Sequence, residues 1–142
     1  MKKQLKAFDE ASLTTKIIIV IVIIIVIYFT VKFLEQSKSV ITDKAEELAL
    51  GSQGIKATYS NSEYDSFAST LETAMAGLGT DEQQIFTVFS SLRNDVDFIK
   101  LNQSFGIREG SNMSAWLKGD LSTTDITTIN SQLEMSGITK RI

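Results

Sequence analysis

The chain has 142 residues, 14 basic and 17 acidic, and contains no histidine, cysteine or proline. Without histidine and cysteine there is no Ser-His-Asp or Cys-His catalysis, no histidine or thiolate metal site, no disulfide and no histidine pH switch. The lack of proline suits a chain that is helical throughout.

Residues 1–16 form a polar tail with Lys2, Lys3 and Lys6. From Ile17 to Ile27 every residue is isoleucine or valine, and Tyr28, Phe29, Thr30 and Val31 follow. This run has neither the period of two of a half-buried strand nor the one-sided stripe of a surface helix. A segment that is apolar all round needs apolar surroundings, and in hydrocarbon a lone segment pairs its backbone groups only as a helix. The expectation is one transmembrane helix over residues 17–34. Between Lys16 and Lys32 the helix covers only about 22 Å. The bilayer core is ~30 Å thick. Snorkelling by the two lysines, with Leu13, Phe33 and Leu34, extends the apolar zone to roughly 33 Å. The apolar region is longer than that of a signal peptide and no small-x-small site follows it, so the run reads as an uncleaved anchor. It holds no glycine, alanine or serine that would let two backbones approach closely.

Residues 1–32 carry five lysines against Asp9 and Glu10, whereas the chain from Phe33 onward carries nine basic and fifteen acidic residues. The positive-inside rule places the N-terminus in the cytoplasm and residues 33–142 outside. An acidic domain argues against nucleic acid as a partner.

Residues 35–61 read as a juxtamembrane helix and linker. Val40, Ile41, Ala45, Leu48 and Ala49 recur at helical spacing, and Gly51-Ser-Gln-Gly54 breaks the helix. Residues 62–142 read as five short helices. The first spans about 62–76, with Tyr64, Phe67, Ala68, Leu71, Ala74 and Met75 on one face. Gly77-Leu78-Gly79 is a turn, and Thr80 with Gln83 has the spacing of a capping box for a second helix carrying Ile85, Val88, Phe89 and Leu92. Asn94 caps a third, with Val96, Ile99 and Phe105 inward and Gly106 as its stop. After a loop over 108–112, a fourth carries Met113, Trp116 and Leu117. Ser122 and Asp125 box a fifth, with Ile126, Ile129 and Leu133, ended by Gly137. The fold class expected is all-α: one transmembrane helix, then a small five-helix bundle.

The stretch Met75-Ala-Gly77-Leu-Gly79-Thr80-Asp81-Glu82 resembles the first interhelical loop of an annexin repeat, and Trp116-Leu-Lys-Gly-Asp120-Leu121 is similar to the segment ending that family's fourth helix. The resemblance runs from about Tyr64 to Ile138, so the bundle is expected to be annexin-like. It implies an oxygen-only calcium site that bridges to phospholipid. Its ligands by position are the carbonyls of Met75, Gly77 and Gly79 and the side chain of Asp120. The chain departs from the family in having one repeat, in carrying its own anchor and in offering aspartate where glutamate is common. The same residues also make an ordinary helix stop and start, with Asp81 and Glu82 facing the positive end of the helix dipole. No cofactor is expected beyond the calcium that the resemblance implies.

Glu63, Glu72, Glu109 and Glu134 are the carboxylates available for glycan cleavage, but no spacing sets two of them in one cleft, and they read as surface charge. Arg93, Arg108 and Arg141 read likewise, and Trp116 reads as core. The expectation is a non-enzymatic, single-pass structural or interaction protein of a bacterial envelope or a virion membrane, with the lipid bilayer and a protein partner as its contacts. The alternatives are calcium-dependent contact with phospholipid or an anionic surface through the 75–80 loop, and a membrane-tethered cell-wall glycan hydrolase.

Overall fold

The computed structural model describes residues 12–142; of the expected tail, residues 1–11 lie outside the described residues. The chain forms two compact units, one ending at Ser39 and one running from Val40 to Ile142. Helix α1, Leu13–Ser52, starts where the Ser12 hydroxyl accepts a bond from the Thr15 amide. Within α1, Leu13–Leu34 has a mean hydropathy of 3.1 and none of it is buried by the described residues. That is the length and composition of a membrane-crossing helix. The Thr30 hydroxyl in its second half is satisfied internally, Oγ1 donating to the Val26 carbonyl at 2.7 Å.

The second unit contains the end of α1 and, among the described residues, five further helices: α2 (Asn61–Met75), α3 (Glu82–Ser91), α4 (Asp95–Phe105), α5 (Met113–Asp120) and α6 (Thr123–Met135). Helix α2 packs on α3 and α4, α3 packs on α6, and α5 touches α2 and α6. The expected apolar faces meet in one core, with Tyr64, Leu71, Ile85, Phe89, Leu92, Leu117, Ile129 and Leu133 all almost wholly buried. Caps match the expected signals at two starts. Asn94 Oδ1 accepts from the Asp97 amide, and Ser122 and Asp125 form a reciprocal box. At the start of α2 the Ser60 amide and hydroxyl both donate to the Glu63 carboxylate, a cap not read from the sequence. Gly106 and Gly137 take positive φ at the ends of α4 and α6.

Four features differ from the expectation. Helix α3 is capped by Asp81, not Thr80. Its carboxylate accepts the Gln84 amide at 3.0 Å, and its own amide donates to the Ala74 carbonyl at 2.9 Å, closing the loop one residue later. Residues 108–112 are not a plain loop, because Ile107–Arg108 (β1) and Ser111–Asn112 (β2) pair antiparallel around Glu109-Gly110. Residues 55–60 are not a free linker. Ala57 and Tyr59 pack on the core, Tyr59 stands edge-on to Tyr64 and Phe67, and its hydroxyl donates to the Ser91 carbonyl at 2.7 Å. Beyond Gly137 the chain folds back, burying Ile138 and Ile142 and donating the Thr139 amide to Asp95.

Within the second unit, the end of α1 docks through its acidic face. Asp43 accepts from Asn102, Glu47 pairs with Lys100 at 2.8 Å and accepts from Gln103 at 3.2 Å, and Glu46 pairs with Lys140. Ile41 and Leu48 are 70% and 66% exposed. The side chain of Val40, expected on the same face, lies outside the described residues.

Candidate functional site: the 75–80 loop and its cavity

Helix α2 ends at Met75, with Ala76 already extended, and Gly77 and Gly79 follow with φ of 112° and 105°. No side chain or backbone crowds either glycine, so the positive φ alone is what demands glycine there. The turn carries Leu78 out, fully exposed at its tip.

Beside the loop lies a cavity of about 360 Å³ whose walls include Met75, Gly77, Glu109, Trp116 and Asp120. Of the four residues that the sequence singles out, Met75, Gly77 and Asp120 share this cavity, and Gly79 is not among its lining residues. Asp120 is brought there as the last residue of α5. Trp116 is held edge-on to Phe105 (5.9 Å between ring centres), and its Nε1 donates to the Arg108 carbonyl at 2.8 Å. Arg108 sits over the Phe105 ring, its Nε donates to the Phe105 carbonyl at 3.0 Å, and its guanidinium pairs with Glu72. It is therefore a packing residue, not the plain surface charge expected. It sets the ribbon that presents Glu109.

Glu109, which reads as surface charge in the sequence, is the residue that the fold adds to this cavity. It stands at φ 48° and adds a second carboxylate to the cavity. Its only local signal is the following glycine, since a two-residue turn with both φ positive favours Asn-Gly or Asp-Gly rather than Glu-Gly. The donors available, two carboxylates and the carbonyls of Met75 and Gly77, are all oxygen, which suits a hard cation. Among the described residues no three acidic side chains gather at one point, so the charge on offer is small.

The other glutamates do not converge. Glu63 is held in the Ser60 cap, which keeps its carboxyl below the usual range, Glu72 binds Arg108, and Glu134 pairs with Arg141. Asp97 is closed off from solvent within the core and accepts bonds from Thr58, Tyr64 and Arg93. Comparison with family models, with curated proteins and with solved structures finds no match.

Proposed function

We propose that this chain is a non-enzymatic, single-pass membrane protein that displays a small helical, annexin-like domain outside a bacterial inner membrane or a virion membrane, where it binds a protein partner or stabilises an assembly. The observation that carries the reading is the apolar stretch Leu13–Leu34. Its mean hydropathy is 3.1, and none of it is buried by the described residues. Exposed to water, such a run aggregates; within a bilayer it is at rest. The annexin-like reading draws on the helix–loop–helix around Gly77 and Gly79 and on the return of Asp120 to that loop. The lysines of the tail and the acidic balance beyond Phe33 support an N-terminus in the cytoplasm. Protease added to intact spheroplasts removes residues 33–142 and spares the tail. Cleavage of the tail with full protection of the domain refutes this orientation.

A second reading is favoured by one observation. The loop presents a wholly exposed leucine, Leu78, beside a cavity walled by Asp120 and Glu109. Calcium bound between carbonyls and carboxylates would supply positive charge to a phosphate, while Leu78 reaches an apolar layer. Calcium-dependent sedimentation of the domain with anionic vesicles, lost in Leu78→Ser, tests it. The glycan-hydrolase alternative draws no support from Glu63, Glu72 and Glu134, which are separately engaged.

A further inference from the structure

We infer that the juxtamembrane end of α1 pairs in parallel with the same segment of a second copy of this chain, through a seam of Ile41, Ala45, Leu48 and Ser52. The inference rests on the membrane-anchored reading.

Successive steps of four, three and four residues separate these positions, the spacing of a coiled-coil seam. All four are exposed, with Ile41 at 70% and Leu48 at 66%. A helix on a protein surface normally turns its apolar stripe inward and its charges outward. Here the order is reversed. Asp43 lies diametrically across the helix from the seam, flanked by Glu46 and Glu47. These three acids bind Asn102, Lys140 and Lys100 of the chain's own domain. The domain therefore takes the acidic face and leaves the apolar one outward.

What covers that face follows from the anchor. Every copy crosses the bilayer in the same direction, so a neighbour presents the identical seam, parallel and at the same height. A self-complementary patch of this kind defines a two-fold pair. The charges permit it. Both flanks of the seam are free of acid, because Thr42 and Ala49 lie on one side and Lys44, tied to Glu47 of its own helix, on the other. In a parallel pair Lys44 faces the partner's Ala49, so no like charges meet between residues 41 and 52. Counted back along the sequence, the series meets Lys38 and then Leu34, Val31 and Ile27. A single lysine at a seam position sets register in coiled coils at some cost in stability. The seam is short, and confinement to one membrane supplies the effective concentration that a free peptide lacks.

The chain has no cysteine, so single substitutions report cleanly. Full-length Ile41→Cys and Leu48→Cys, with Ser69→Cys on the exposed side of α2 as reference, are oxidised mildly in membranes and then washed at alkaline pH. The expected result is a disulfide-linked dimer at 41 and 48 and little at 69. Leu48→Asp in the Ile41→Cys background lowers the dimer about tenfold. Membrane-retained chain with no more dimer at 41 and 48 than at 69 overturns the seam and leaves the anchor standing. A fluorophore at 41 or 48 quenched by nitroxide lipids, without dimer, overturns it too, since the face then lies on the bilayer. Chain released by the wash overturns the anchor and the seam with it.

Discussion

Tyr64 donates its hydroxyl to Oδ1 of Asp97 at 2.6 Å, with both side chains almost wholly buried. The same oxygen accepts the Thr58 amide at 2.7 Å, and Oδ2 accepts the Arg93 amide at 2.9 Å. One carboxylate thus joins the strap over 55–60, helix α2 and the turn between α3 and α4. A buried charge is tolerated only when its lone pairs are met by donors, and here three meet them.

Removing this hub is costly. Asp97→Ala leaves one hydroxyl and two amides without an acceptor and is expected to cost about 3–5 kcal/mol, since each unmet buried donor costs about 1–3 kcal/mol. Tyr64→Phe removes one charge-assisted bond and costs roughly 1.5–3 kcal/mol. Urea unfolding of a soluble chain of residues 40–142 reads both. Losses no larger than those of an exposed serine substitution contradict the assignment.

Burial, and then the bond to Asp97, push the Tyr64 phenol well above its ordinary value of 10.0. A group with a raised folded pKa stabilises the fold below its unfolded pKa, and that contribution is lost as pH rises toward the folded one. Stability is therefore expected to fall above about pH 10. In ultraviolet titration of residues 40–142 Tyr64 is expected to ionise only with unfolding, and Tyr64→Phe abolishes that late step.

The docked end of α1 carries two opposed acid effects. The Lys100 bond holds Glu47 down at about 2, from an ordinary 4.5. Its stabilisation is complete above 4.5 and disappears as pH falls toward 2. Asp43 is raised chiefly by burial, with the Asn102 bond working the other way, so its contribution is present at low pH and is lost as the carboxyl ionises. Glu47→Gln is expected to destabilise residues 40–142 at neutral pH, with the difference from wild type vanishing in strong acid. Asp43→Asn is expected to stabilise at neutral pH. Urea midpoints measured across pH check both signs, and a Glu47→Gln deficit that persists in strong acid refutes the first.

Glu109 holds φ at 48° in the turn between β1 and β2. Asparagine adopts that region more readily, so Glu109→Asn is expected to raise the stability of residues 40–142 by roughly 0.5–1 kcal/mol. A lower melting temperature argues that the carboxylate has a partner worth more than the strain.

The helical domain is expected to fold without metal, because its capped helices close an apolar core unaided. Calcium bound weakly at the 75–80 loop stabilises it by only about 0.4 kcal/mol near the dissociation constant. Thermal unfolding in chelator and in calcium, on wild type and Asp120→Ala, decides the matter. A chain unfolded in chelator refutes the first statement, and a large calcium-dependent rise abolished by Asp120→Ala refutes the second.

The helices were legible in the sequence because each is specified by residues within a turn of one another. Ser122 and Asp125 box α6, Asn94 caps α4, Gly106 ends it, and the apolar faces of α2 and α3 recur at helical spacing. The run from Ile17 is legible for the same reason, since an apolar helix needs no distant partner to declare its character. Tertiary structure decided the rest. Asp97 looks like any first-turn acid until Tyr64, 33 residues earlier, arrives with a hydroxyl. Glu109 looks like a surface charge until the ribbon swings it into the cavity with Asp120. Ile41 and Leu48 show only helical spacing in the sequence, and their outward position is decided when Asp43, Glu46 and Glu47 find Asn102, Lys140 and Lys100. In each case local propensity is indifferent among several environments, and the choice is made by contacts between segments far apart in sequence, whose energy exists only once the chain has packed.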